Sequence, residues 1–186
     1  MSNLVLRSKG SIELLSQRKL AVFASRNAPR EIYKSAEELF KALQKLYLSL
    51  AGGWQAPLER RLFESADPHQ PANYIYYLAK DINAFRPTPL QQRILDENKL
   101  LMLSPEIKAK RTSQSLVKQR DALLFSQIDS VLFIYIHPGG RLEGYLHQLS
   151  ERKNKLYILN HPLNQPYFGE DILPLDVDNA EEVLGG

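Results

Sequence analysis

Leu20-Ala-Val-Phe-Ala-Ser-Arg26 decides the fold. Five apolar residues of strand type stop abruptly in a small polar residue and an arginine, and a helical pattern begins at Pro29. Ser130-Val-Leu-Phe-Ile-Tyr-Ile-His-Pro-Gly-Gly140 repeats the arrangement further along the chain. Apolar strand, small turn, then helix is the order in which α/β proteins build ligand sites at the carboxyl ends of parallel strands. A binding cleft is therefore expected on pattern alone.

Outward from these two segments the alternation continues. Residues 4–7 and 12–15 are short apolar runs split by Ser8-Lys-Gly-Ser11, which reads as a hairpin or a strand–turn–helix entry. Ile32, Ala36, Leu39, Phe40, Leu43 and Leu46 recur at helical spacing. Tyr47–Ala51 reads as a strand broken by Gly52-Gly53, and Pro57 sits where a helix opens. Strands follow at Tyr74–Ala79, Leu100–Leu103, Val131–Ile136 and Leu156–Leu159, and helices at 90–98, 115–127 and 141–152. Most of these strands are too apolar for a solvated face. The pattern predicts a three-layer α/β Rossmann-like fold: a mostly parallel, doubly wound sheet with helices on both faces. One domain is expected over residues 1–162, with 163–186 as a peripheral acidic extension.

Composition agrees. A chain of 186 residues with 44% hydrophobic and 24% charged content has the make-up of a globular domain. Such a length buries roughly 70% of its unfolded surface. No apolar run approaches the ~20 residues of a membrane span. The amino terminus carries no signal-peptide core, which predicts a cytoplasmic protein without a membrane partner. Zero cysteines exclude disulfides, thiolate catalysis and Cys-ligated zinc. The four histidines show no metal-ligand spacing, so no metal and no cofactor are expected.

Charge is unevenly spread. Residues 166–186 hold six acids and no Lys or Arg, so all 24 basic residues lie in 1–165 against 15 acids, leaving that body at +9. A basic body suits a polyanion or a phosphorylated ligand. Ordinary solvated surface explains it equally well. The acidic tail reads either as a solubilising end or as a competitor for the basic face.

At this point the residues resemble a family. Leu20-Ala-Val-Phe-Ala-Ser-Arg26 resembles the "(L/V)-A-I-V-G-S-R" strand–turn of DprA/Smf-type DNA-processing proteins, part of the lysine-decarboxylase-like, LOG-related Rossmann (SLOG) superfamily. Ser49-Leu-Ala-Gly-Gly-Trp-Gln-Ala-Pro-Leu-Glu59 lies where that family carries "S-G-(G/L)-A-x-G-I-D". Residues 118–134 are similar to "F-x-x-R-N-R-x-I-x-x-L-S-D-x-V-L-V-V", and His137-Pro-Gly-Gly-Arg-Leu142 stands in for an "S-G-S-L" loop. Val5-Leu-Arg-Ser-Lys-Gly10 is similar to the entry segment "L-x-x-K-G". Order and spacing agree over roughly residues 4–162. The departures are Ala24 for Gly, Pro57-Leu58-Glu59 for "G-I-D" and Asp121 for Asn. The resemblance implies a protein that holds single-stranded DNA, helps load a recombinase and forms a homodimer. It also implies an appended winged-helix domain in many members, which this sequence lacks.

Candidate phosphate or nucleic-acid contacts follow from residue chemistry. Ser25 and Arg26 combine a strand end, a helix start and a planar charged fork that receives anions. Arg26 as plain surface is the competing reading. Gly52 and Gly53 permit close backbone approach to a ligand or supply positive φ for the turn. Trp54 is expected exposed at the cleft, where it stacks on a base. Gly139 and Gly140, followed by Arg141, resemble a phosphate cradle, or supply positive φ for the turn as Gly52 and Gly53 could. Lys108, Lys110, Arg111, Lys118 and Arg120 place five positive charges in thirteen residues with no acid between them. Phosphate backbones tolerate such irregular spacing. A solvated loop and helix face is the competing reading. Arg120 also matches an Arg of the family's "R-N-R" element.

Tyr74, Tyr76 and Tyr77 are expected to pack in the core rather than stack on bases, and His137 to be satisfied by local backbone. The related phosphoribohydrolases use "P-G-G-x-G-T-x-x-E", but here Leu142, Glu143 and Leu146 occupy the G, T and E positions. Glu143 then reads as a capping acid. No catalytic residue is assigned, and binding is favoured over catalysis. The primary expectation is a DprA-like protein that binds single-stranded DNA in a basic cleft. The alternative is a sensor or hydrolase of a nucleotide or nucleotide-derived ligand at the same turns.

Overall fold

The computed structural model describes residues 6–106, 108–152 and 154–185, so the apolar pair Leu4-Val5 lies outside the described residues. Eight strands form one sheet: β1 (Leu6–Gly10), β2 (Lys19–Ala24), β3 (Ser49–Gly52), β4 (Asn73–Tyr77), β5 (Leu100–Pro105), β6 (Ser130–Tyr135), β7 (Lys155–Leu159) and β8 (Ile172–Leu175). Their order is β1-β5-β4-β3-β2-β6-β7-β8. β1 runs antiparallel to β5, and every other pairing is parallel. The sheet winds outward from β2 to β5, then returns to β6 on the other flank of β2, so the switch in direction falls between β2 and β6.

Alternation along the strands produces the layers. In β2, Leu20, Val22 and Ala24 face one side, where α1 (Tyr33–Gln44), α2 (Pro57–Glu64) and α3 (Pro89–Asp96) bury Leu39, Leu43, Leu62 and Ile94. Ala21 and Phe23 face the other side and meet α4 (Gln114–Gln127) and α5 (Arg141–Ser150) through Leu124, Phe125 and Leu146. Both faces of the central strands are covered, which is why those strands read as continuous apolar runs. The three-layer, mostly parallel α/β fold expected from the pattern is present.

The acidic segment after 162 departs from its expectation as a peripheral extension. β8 hydrogen-bonds parallel to β7, and Leu175, Ala180 and Val183 join the core. Arg18, just before β2, donates to the carbonyls of Val183 and Gly185. The last residues of the tail thus dock at the amino ends of the strands, whereas Asp176, just after β8, accepts from Asn160 at the carboxyl end of β7. A short segment with Ile172, Leu175 and Val183 at spaced positions has a core to join; its many acids masked that signal. No helix among the described residues is long and apolar enough to cross a membrane.

Candidate functional site

At the carboxyl ends of β2 and β6 the following helices leave on opposite faces, and a crevice opens between them. The rim is stitched by hydrogen bonds. The Ser25 amide donates to the Tyr135 carbonyl at 2.9 Å, and the His137 amide donates to Ser25 Oγ at 2.9 Å. Ser25 is buried. Its hydroxyl joins the two strand ends as an acceptor and keeps its own proton to donate.

Glu59 ties the next turn to the same place. Its carboxylate accepts from the amides of Ala24 (3.0 Å), Gln55 (3.0 Å) and Ala56 (3.2 Å). These bonds join β2 to the start of α2 and satisfy amides that a helix terminus leaves free. Burial pushes the Glu59 carboxyl above its ordinary range, while the three amides and the nearby Arg120 guanidinium pull it back down. Glu59 was not singled out in the sequence, although it occupies the acid position of the family's second turn. With both oxygens engaged it shapes the cleft floor.

Arg120 enters that floor from α4. It is only 2% exposed. Its Nε donates to Asp121 Oδ1 at 2.7 Å, with Nη2 at 2.6 Å from the same oxygen. Nη1 has no hydrogen-bond partner among the described residues. The second oxygen of Asp121 accepts from the Tyr145 hydroxyl at 2.8 Å and lies 3.9 Å from Arg141 Nη1. Burial, with Asp121 alongside, pushes Tyr145 up to about 12. Asp121, where the family carries Asn, thereby holds two arginines. Arg120, expected as a phosphate contact, is not part of a solvated helix face: it is a buried guanidinium with one donor unsatisfied among the described residues, and it lines the cleft.

Gly52 and Gly53 have a different use from either one expected. Neither adopts positive φ; the left-handed residue is Trp54, at φ 49°. A Cβ on Gly53 would lie 2.2 Å from Arg120 Nη1, and one on Gly52 would lie 3.1 Å from the Trp54 indole. The glycine pair makes room for two side chains of the protein itself. Trp54 is corrected as well: at 2% exposure it is a core residue, not an open stacking platform. Its indole N–H donates to the Ile75 carbonyl at 3.2 Å, and Phe40 and Phe63 pack on it.

The Gly139-Gly140 turn is similarly occupied. Gly139 has φ 71°, but its amide donates to Glu143 Oε2 at 2.9 Å, and the Gly140 amide donates to the His137 carbonyl at 2.9 Å. The amides of the two glycines are thus taken. The Gly139 amide and the Tyr167 hydroxyl hold the Glu143 carboxyl below its usual range, consistent with a capping role.

What remains open is a cleft of about 900 Å³. Its walls include Arg26, Arg60, Lys80, Lys118, Arg120 and Arg141 against one carboxylate, that of Glu59, so the cleft is strongly electropositive. The first residues of α4 and α5 face it as well, and helix N-termini add positive potential. Of the candidates, Ser25, Arg26, Trp54, Lys118, Arg120, Gly140 and Arg141 line it; Gly52, Gly53, Lys110, Arg111 and Gly139 do not. Lys110 and Arg111 are exposed on the segment leading into the cleft wall at Thr112–Gln114. His137 is exposed on the wall with its backbone bonded, whereas no metal-ligand cluster occurs among the described residues. Arg60, Lys80 and Tyr76 were missed as site residues. Arg60 opens the charged pair Arg60-Arg61 in the first turns of α2, and Lys80 follows an apolar strand end, a position that could have flagged it.

Tyr74 and Tyr77 are core residues as expected, their hydroxyls donating to Gln44 and Gln127. Tyr76, between them, is half-buried and lines the cleft.

Fold and cleft together define a Rossmann-type protein with an anion-attracting crevice at its switch point. No protein-family model and no curated protein sequence matches the chain. Solved structures do. DNA processing protein A (DprA) from Streptococcus pneumoniae superposes with a TM-score of 0.77 at 17% identity, covering 95% of this chain and 64% of that one. DprA from Helicobacter pylori, described for its single-stranded DNA binding mode, gives 0.68 at 17% identity and covers 97% and 79%. The molybdenum cofactor binding protein of Rippkaea orientalis gives 0.59 at 13% identity, covering 90% and 95%. The DprA-type Rossmann fold read from the motifs is thus the fold of the chain, which spans about two thirds of the pneumococcal protein.

Proposed function

We propose that this protein binds single-stranded DNA by its phosphates in the cleft between β2 and β6. The observation that carries the reading is the Arg120 Nη1 donor, buried without a partner among the described residues in the floor of a cleft ringed by five further Lys and Arg side chains. A buried guanidinium donor left unmade is costly, and a phosphate oxygen is the acceptor that fits it best. The structural likeness to two DprA proteins supports nucleic acid as the source of that phosphate. Among the described residues lining the cleft, Glu59 is the one carboxylate and both its oxygens are engaged, which favours binding over acid-assisted hydrolysis.

The cleft volume of about 900 Å³ also suits a free nucleotide-derived ligand, and two neighbours are described as a molybdenum cofactor binding protein and a molybdenum cofactor carrier protein. That is the second reading.

Fluorescence anisotropy of a labelled single-stranded oligonucleotide, from low to physiological salt, tests the proposal. Binding should weaken steeply with salt, and Arg26→Ala and Lys118→Ala should each lower the log–log salt slope by about one. Both side chains are exposed, so neither change threatens the fold. No binding at low salt would overturn the proposal. A thermal shift with a mononucleotide panel would then decide the second reading.

A further inference from the structure

A second hollow of about 410 Å³ opens beside the β4 wall of the cleft. It shares Trp54, Arg60, Tyr76 and Phe85 with the cleft, so the two spaces adjoin. Its character differs. Phe63, Tyr76, Phe85 and Leu90 make it largely apolar, while Arg60, Arg86 and one acid, Glu64, stand exposed on its lining.

The aromatic rings hold one another in place. Tyr76 lies edge-on to Phe63 with centroids 5.5 Å apart, and Phe85 is 5.4 Å from Tyr76. Phe63 is buried, but Tyr76 and Phe85 are only half-buried and keep ring surface open. The Tyr76 hydroxyl makes no hydrogen bond among the described residues, unlike those of Tyr74 and Tyr77 on the same strand. Arg60, Arg120 and Glu59 lie near enough for their charges to act on that phenol, which places Tyr76 between the cationic floor and the hollow.

We propose that this hollow is a nucleobase subsite: a base of the strand whose phosphate lies in the cleft turns aside and packs on Tyr76 and Phe85. This rests on the phosphate-binding reading of the cleft. Apolar partners without phosphate would gain nothing from adjoining a cleft with six cationic side chains, and a strand offers a flat apolar base beside each phosphate. Aromatic platforms beside a positive groove hold single strands with little sequence preference, because every base has a π-face. Arg60 and Arg86 are placed to meet the flanking phosphates or the carbonyl edge of the base.

The test compares two fluorescein-labelled strands of equal length and charge: oligodeoxythymidine, and the same phosphodiester chain with abasic tetrahydrofuran residues in place of nucleosides. The abasic strand is expected to bind about tenfold more weakly with an unchanged salt slope. Phe85→Leu, which keeps the apolar volume, should shrink that preference, Tyr76→Ala should shrink it further, and Tyr76→Phe should retain it. Equal affinity for both strands would overturn the subsite and leave the phosphate reading standing. A preference undiminished in Phe85→Leu and Tyr76→Ala would overturn it too, by placing the base elsewhere. Failure of both strands to bind would overturn both proposals.

Discussion

Arg120 is held by contacts that leave it one free donor among the described residues, and its surroundings show how single residues set the site. Asp121 neutralises it, Gly53 makes way for it and Glu59 lies close enough to act on its charge. Removing one member of a buried ion pair costs about 3–5 kcal/mol, so Arg120→Ala would report on folding before binding. Gly53→Ala is the finer probe. Its methyl would lie 2.2 Å from Nη1 of a guanidinium locked to Asp121, so a loss of about 1–3 kcal/mol in urea unfolding is expected. Unchanged stability would show that Arg120 is free to move.

Glu143 gives a pH signature at the same scale. Its carboxyl is held below the ordinary value of 4.5, first by the Gly139 amide and then by the Tyr167 hydroxyl. A depressed folded-state value means that this contribution is fully present above 4.5 and fades as pH falls through the lower value. In an NMR titration the Gly139 amide resonance should therefore move with a midpoint below 4.5, and the movement should vanish in Glu143→Gln. A midpoint at or above 4.5 would show that the loop is not capped in this way.

Among elements, the strands were the legible part. β2 and β6 announce themselves because a strand covered on both faces must be apolar at every position, and Leu20–Ala24 and Val131–Ile136 are. Helix starts at Pro57 and near Ser115 were legible for local reasons: a preset φ, and a side-chain cap by Ser113. The turns were located, and Gly139 has the positive φ that one reading gave it, but what the Gly52-Gly53 pair makes room for was not foreseen. Sequence placed Gly52-Gly53 and Gly139-Gly140 at the cleft, yet which atoms fill a glycine's free space depends on residues far along the chain, such as Arg120 and Trp54. Three-amide capture by Glu59 was hidden for the same reason.

β8 is the other element that pattern reading undervalued. Leu175 is fully buried at the sheet's edge, so Leu175→Ala should cost about 2–5 kcal/mol and lower the cooperative melting temperature of the whole chain. A melting curve that split into two transitions, with the main one unmoved, would show that the tail folds apart from the sheet.

At the scale of the molecule, charge and topology converge. Asp176 and Asp178 follow β8 at the far edge of the sheet, and no acid of the tail lines the cleft, so the cleft keeps its positive potential. That arrangement predisposes the cleft to polyanions, with an on-rate that salt controls. The proposal is above all one of location: nucleic acid in the cleft at the carboxyl ends of β2 and β6, along the β4 wall. Photo-crosslinking with a single-stranded oligonucleotide carrying 5-iododeoxyuridine, followed by peptide mapping, tests it most directly. Adducts are expected on Tyr76, Phe85 or His137, the ring side chains that line the cleft with some surface open. Adducts confined to the exposed Tyr47 or to the β8 side of the sheet would contradict it.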